Sequence, residues 1–192
     1  MNNAVNKADH VVKGLLEFSR KPSFDIKAND LTESIDKALG LLGYSLRKYK
    51  IEVIKEYSSC IFEIKMNKEE MEQVFVNIFM NAIDAMPNGG RLTIKMYFKE
   101  LNQVGDGVGR REIDNFKIGE KVVIIEVDDT GFGIPENMVA KLFEPFFTTK
   151  RDKGGTGLGL SIVRNIISQH RGSIKVVNNP NGGVKVVLML KV

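Results

Sequence analysis

The sequence predicts a two-layer α/β sandwich, with one mixed sheet of about five strands and about three helices packed on one face. Three observations predict it. Helical and strand-like hydrophobic periods follow one another as helix, two short strands, helix, two strands, loop, helix, two strands. Residues 68–86 are apolar over most of a helical surface, through Met71, Val74, Phe75, Ile78, Phe79, Ala82, Ile83 and Met86. The β-branched run Val122, Val123, Ile124, Ile125 and Val127 reads as a strand that feeds a glycine-rich segment.

In chain order, residues 1–20 read as an amphipathic helix with Val5, Val12, Leu15 and Leu16 near one face, ended by Pro22. Alone it cannot bury that stripe, so it expects a partner helix. Residues 22–29 read as a linker. A helix then runs to about Tyr49 with Leu31, Ile35, Ala38, Leu39, Leu42 and Leu46 inward, capped by Asp30 or Thr32. Ile51–Glu56 and Ile61–Met66 alternate like two short strands. Asn67 caps the helix that ends at Pro87 and the turn Asn88-Gly89-Gly90, and 91–99 is a strand. Residues 100–120 are polar, contain four glycines and read as a long hairpin loop. Strand 121–127, a glycine-rich loop, a helix from Leu160, and the hairpin 173–177 with 184–190 complete the chain.

Composition narrows the function classes. The 192 residues fit one domain, and 43% hydrophobic with 27% charged residues is ordinary for a globular protein. The net charge of +4 is mild, and Lys and Arg are scattered rather than run together, so a nucleic-acid partner is not expected. A single cysteine, Cys60, leaves no internal disulfide and no cysteine-based zinc site. No apolar run is long enough for a membrane span, no signal peptide is visible, and a cytoplasmic setting is expected, including that of the cytoplasmic part of a membrane sensor. The opening MNNAVNKADH begins in mid-pattern, as a cut from a longer protein would.

Residues 128–160 carry the first chemical signal. Asp128 and Asp129 end a strand and run into Gly131 and Gly133; Gly154, Gly155, Gly157 and Gly159 run into a helix at Leu160. A glycine-rich turn opening a helix presents unpaired N–H groups and the positive end of the helix dipole to an anion. The P-loop pattern fails, because Leu160 and Ser161 follow Gly159 where lysine is required, and the dinucleotide fingerprint fails in spacing and context. A strand-end carboxylate could hold a metal or accept a hydrogen bond from an exocyclic amine such as that of adenine. The second signal lies on helix 68–86, where Glu70, Gln73, Asn77, Asn81 and Asp84 fall on one narrow line. That line is either a solvent face or the wall of a site. Two asparagines favour the wall, since asparagine is a poor helix former and its amide oxygen can ligate Mg²⁺.

Four segments together resemble a known family. Asn77-xxx-Asn81-Ala82, Asp129-Thr-Gly131-Phe-Gly133-Ile134, Phe143-Glu-Pro-Phe146-Phe147 and Gly155-Thr156-Gly157-Leu158-Gly159-Leu160 look like the N, G1, F and G2 boxes of sensor histidine kinases of two-component systems, closest in flavour to the nitrogen-regulation type. The resemblance covers about residues 28–192. It implies the ATP-binding fold of the Bergerat type, shared with gyrase, the heat-shock chaperone and the mismatch-repair ATPases. It also implies ATP and Mg²⁺ as cofactors, with Asn81 and Asn77 at the metal and Asp129 on the adenine amine. Gly131, Gly133 and Ile134 would shape the base pocket. An ATP lid would span about 136–156, hinged on Phe143, Phe146 and Phe147. Lys150, Gly155, Thr156, Gly157, Leu158, Gly159 and Leu160 would reach the phosphates. The segment LLEFSR within residues 1–21 resembles the end of a dimerisation helix, and the catalytic and ATP-binding domain would then be 30–192. The implied partners are a histidine-bearing dimerisation domain, a response-regulator receiver domain and, in a full-length protein, a second copy.

The departures are specific. Neither His10 nor His170 sits in a phosphoacceptor motif, and both read as helix-surface or helix-end residues. Asp84 stands where many members carry a phosphate-contacting lysine, and Val184 where a threonine is common. The expected function is therefore transfer of the ATP γ-phosphoryl group to a histidine outside this chain. The alternatives are a nucleotide-ordered interaction module or a same-fold ATPase. The ATPase reading expects a glutamate one turn before the metal asparagine; Asn77 stands there, and an amide is no general base at neutral pH.

Overall fold

The computed structural model describes residues 25–58, 63–102, 116–150 and 155–192. The expected helix 1–21, His10, Cys60 and most of the 100–120 loop lie outside the described residues. The order of elements is β1 (Lys27–Asp30), α1 (Leu31–Leu41), α2 (Gly43–Lys48), β2 (Ile51–Tyr57), β3 (Glu63–Met66), α3 (Lys68–Ala85), β4 (Gly90–Glu100), β5 (Lys121–Asp129), α4 (Glu136–Val139), α5 (Gly159–Gln169), β6 (Ser173–Asn178) and β7 (Val184–Lys191).

Five strands form the main sheet in the order β2-β4-β5-β7-β6. The β2–β4 pair is parallel and the other three are antiparallel. The sheet is mixed because β2 must reach β4 through a crossover, and α3 is the helix of that crossover. Two expectations change here. The strand ending at Met66 belongs to a separate two-stranded sheet, paired antiparallel with β1 from Lys27↔Met66 to Asp30↔Glu63. Its partner falls inside the segment expected to be a linker. The sequence signal was weak because Lys27, Ala28, Asn29 and Asp30 carry no β-branched side chain. The expected helix 30–49 is also two helices. Leu42 adopts a non-helical conformation between them, with its N–H shared by the Ala38 and Gly40 carbonyls.

One continuous core joins the helices to one face of the sheet, from Leu31 and Ile35 through Phe75, Phe79 and Ile83 to Leu92, Ile94, Val127, Val163, Ile167 and Leu188. Phe75 and Phe79 are fully buried, with ring centroids 5.9 Å apart. Each such ring contributes on the order of 2–3 kcal/mol by leaving water. A smaller cluster, Val122, Ile124 and Met189 with Leu101 and Phe116, covers part of the opposite face. Capping is local and explicit. Asp30 accepts from the Thr32 N–H at 2.9 Å, and Asn67 accepts from the Glu70 N–H at 3.0 Å.

His170 ends α5, as expected, but its side chain is not on the surface; it is 3% exposed. Its Nε2 accepts from the Asn67 N–H at 3.0 Å, and its Nδ1 lies 2.8 Å from the Ile166 carbonyl, to which it donates. The ring ties the end of α5 to the start of α3. Replacing His170 with Ala should lower stability by about 1–3 kcal/mol through the stranded Asn67 N–H and the lost packing. Chemical denaturation should show this as a lower midpoint with an unchanged slope.

Candidate nucleotide site

A cavity of about 480 Å³ opens between α3, the end of β5, the 132–150 segment and the start of α5. Asn77, Asn81 and Asp84 line it from α3, one above the other as the sequence spacing requires. The line does not continue into the site at its other end. Glu70 sits 3.9 Å from the His170 ring instead, and neither Glu70 nor Gln73 lines the cavity. The Asn77 Nδ2 donates back to the Gln73 carbonyl at 3.0 Å. Its Oδ1 faces Gly159, where a Cβ would come within 3.1 Å of it. Asn81 lines the cavity from an exposed position on α3.

Asp129 is buried at 6% exposure at the end of β5. Its Oδ1 accepts two backbone hydrogen bonds, from Gly131 at 2.8 Å and Val184 at 3.2 Å, which leaves Oδ2 uncommitted in the cavity wall. Burial pushes the Asp129 carboxyl above the usual carboxylate range, opposed by those two N–H groups and by Lys150. Two glycines make the arrangement possible. A Cβ on Gly131 would lie 2.6 Å from the Ala85 Cβ, and one on Gly183 would overlap the Asp129 carbonyl oxygen. Gly183 also has φ +85, which L side chains avoid. The sequence reading placed Gly183 in a hairpin turn and missed its part in bringing Val184 N–H to Asp129.

The segment after Asp129 is pinned from both sides. The Phe132 N–H reaches the Ala85 carbonyl at 3.3 Å. Asn178, at the end of β6, clasps Ile134 with two bonds: the Ile134 N–H donates to its Oδ1 at 2.8 Å, and its Nδ2 donates to the Ile134 carbonyl at 2.6 Å. A side-chain amide here reproduces the pairing of a neighbouring strand, a role that only tertiary structure reveals. Gly133 and Ile134 line the cavity together with Met138, Val176 and Val186. The apolar wall thus adjoins the uncommitted Asp129 Oδ2, a combination suited to a flat base bearing an amine.

At the other end the polar groups have the chemistry that suits an anion. Gly155, Thr156, Gly157, Gly159 and Leu160 line the cavity; Leu158 does not and is buried beside it. Helix α5 starts with no side-chain cap, so its first N–H groups are available. Lys150 lines the cavity, and its Nζ lies 2.9 Å from the Asp84 carboxylate. Of the three expected hinge phenylalanines, Phe143 packs on the core and Phe147 lines the cavity, but Phe146 is 50% exposed with a positive φ of 65. Only Phe143 and Phe147 of the three are therefore placed as an anchored hinge would require. Arg164 of α5, absent from the sequence reading, secures Phe143: it donates to the Phe143 carbonyl at 3.1 Å and stands 5.3 Å from the ring centre.

An apolar base pocket with a buried carboxylate, an asparagine-lined helix and an uncapped helix start, all on one face of a mixed sheet, define an ATP-binding domain of the two-layer α/β class. Residues 66–192 match the family described as histidine kinase-, DNA gyrase B- and HSP90-like ATPases, and the chain belongs to it. The named relatives narrow the type. The chain is 36% identical to the sensor kinase CckA of Brucella abortus (strain 2308) in an alignment of 180 positions that covers 88% of this chain and 17% of that protein. It is 31% identical to the sensor histidine kinase ZraS of Salmonella typhi over 192 residues, 100% of this chain and 37% of the relative. It thus spans less than two fifths of these curated relatives. The catalytic domain of the histidine kinase ThkA superposes with a TM-score of 0.69 at 28% identity, covering 88% of this chain and 98% of that domain. ThkA in complex with the response regulator protein TrrA gives a TM-score of 0.73 at 27% identity, covering 99% of this chain and 48% of the other. The fold is that of a histidine kinase catalytic domain, with the five-stranded sheet and one-sided helices expected from the sequence.

Replacing Asp129 with Asn should separate recognition from stability. The amide oxygen can keep both Oδ1 bonds and the buried charge is gone, so the melting temperature should not fall. The amide NH₂ opposes another amine, and affinity for adenine nucleotides should drop about tenfold or more. The pH dependence has a defined sign. Because the folded carboxyl titrates above a free aspartate, its ionisation opposes folding. That contribution favours the fold below the free-aspartate value and is lost as pH rises through the raised one. Adenine affinity should change oppositely, falling on acidification at a higher pH than an ordinary aspartate would give, as nucleotide titrations across the acid range would record.

Proposed function

We propose that this chain is the ATP-binding catalytic part of a sensor histidine kinase, which transfers the ATP γ-phosphoryl group to a histidine on a dimerisation domain for relay to a response regulator. The single observation that carries this reading is the Asp129 carboxylate. It is buried, fixed through Oδ1 and open through Oδ2, opposite a helix line of Asn77 and Asn81.

Asp129 Oδ2 receives the adenine amine, while Ile134, Met138 and Val186 cover the base. Asn81, with Asn77 beside it, would hold Mg²⁺, which would neutralise phosphate charge when bound; both supply neutral amide oxygens and can share the ion with phosphate oxygens and water. The first N–H groups of α5 and Lys150 take the phosphates. Catalysis here is positioning and charge neutralisation rather than acid–base chemistry at the phosphate. The position one helical turn before Asn81 is Asn77, an amide that cannot activate water. Phosphate is thereby kept for a positioned acceptor. The acceptor is supplied from elsewhere, since His170 is buried and engaged through both ring nitrogens. Residues 1–21 are read as the end of a dimerisation helix, and the receiver domain and the second copy as partners of the longer protein, as the ThkA–TrrA complex suggests by analogy.

Calorimetric titration should give magnesium-dependent ATP binding in the micromolar to low-millimolar range, about 4–8 kcal/mol. The Asn81→Ala variant should lose the magnesium dependence. Mixed with ATP and a separate histidine-bearing dimerisation domain, the chain should form acid-labile, base-stable phosphohistidine. Binding without transfer would instead support a nucleotide-ordered interaction module, and rapid phosphate release a same-fold ATPase.

A further inference from the structure

Asp84 is the one carboxylate on the α3 face of the cavity, one turn beyond Asn81. It stands at the end of the site where Lys150 and the first N–H groups of α5 suit an anion. A carboxylate there repels a triphosphate unless something neutralises it. The structure shows what does: the Lys150 ammonium lies 2.9 Å from its Oδ2. Lys150 is also the described cation that lines this cavity. The backbone aims it there, since its N–H donates to the Thr148 Oγ1 at 3.0 Å and its carbonyl accepts from Gly155 N–H at 3.0 Å. The pair is partly exposed, with side-chain exposures of 27% for Lys150 and 42% for Asp84, so it is weak enough to exchange.

We propose that Asp84 is a positioning residue that holds Lys150 against α3 in the nucleotide-free protein and competes with the phosphates for it. This rests on the nucleotide reading above. When a triphosphate enters, the ammonium passes from one carboxylate to two or more phosphate oxygens. Asp84, left to solvent, then taxes binding by the strength of the pair that was broken.

The test is a double-mutant cycle by calorimetry on the 192-residue chain with ATP and Mg²⁺. Asp84→Asn should tighten binding about two- to fivefold, the range of an exposed ion pair. Asp84→Glu, which keeps the charge, should behave like the wild type. Lys150→Gln should weaken binding, and in that background Asp84→Asn should change it by less than about half as much in log units. Hydrogen exchange of the nucleotide-free chain supplies a second readout: amides of 141–150 should exchange faster in Asp84→Asn and in Lys150→Gln alike. Equal effects of Asp84→Asn in both backgrounds would overturn the proposal. So would a magnesium-dependent loss of affinity in Asp84→Asn, which would make Asp84 a metal ligand. A wild-type chain that binds no nucleotide would defeat the nucleotide reading instead, and the exchange measurement would still report on the pair.

Discussion

The site depends on a carboxylate buried where burial is costly. Asp129 ends the central strand of the sheet, and its charge survives there because two backbone N–H groups from different parts of the chain converge on one oxygen. One N–H comes from the tight turn after β5 and the other from the first residue of β7. The carboxylate thus fixes the loop at the apolar end of the cavity, and registers β7 against β5 there. Its second oxygen is presented in a fixed direction with no side-chain entropy left to lose. Removing the Gly183 or Gly131 gap would break the convergence, so these glycines serve the aspartate rather than the turn alone.

Around that anchor the rigid and exchangeable parts are made differently. The end of the cavity at Asp129 is held by backbone-directed bonds: Asn178 to Ile134, Phe132 to Ala85, and Asp129 to Gly131 and Val184. The end at Lys150 is held by an ion pair between partly exposed side chains and by the Arg164 contact to Phe143. Among these the Asp129–Val184 bond is buried and resists local opening, which an ion pair between partly exposed side chains does not. The cavity therefore has a rigid end at Asp129 and an exchangeable end at Lys150.

Much of this was legible in the sequence because periodicity and glycine spacing report local geometry. The α3 helix, its Asn67 cap, the strand before Asp129 and the final hairpin all follow from residues close in sequence. The line Asn77–Asn81–Asp84 lay on one face because 3.6 residues make a turn. What escaped the sequence came from tertiary pairing. The partnering of β1 with β3, the clasp of Asn178 on Ile134, the buried bridge of His170 from α5 to α3, and the Arg164 support of Phe143 each join residues more than 20 positions apart. None leaves a local period to read. The split between α1 and α2 escaped for another reason: Leu42 is buried on the same face as its helical neighbours, so the hydrophobic pattern runs unbroken across the break.

The parallel pairing of β2 with β4 has a kinetic meaning. Antiparallel neighbours can zip from a turn, but these strands must wait until β3 and α3 have closed the crossover between them. The helix that carries Asn77, Asn81 and Asp84 is therefore set in place by a non-local step of folding. A ligand gripped between α3 and β5 can engage only a chain that has completed that step, and its binding energy falls wholly on the finished fold.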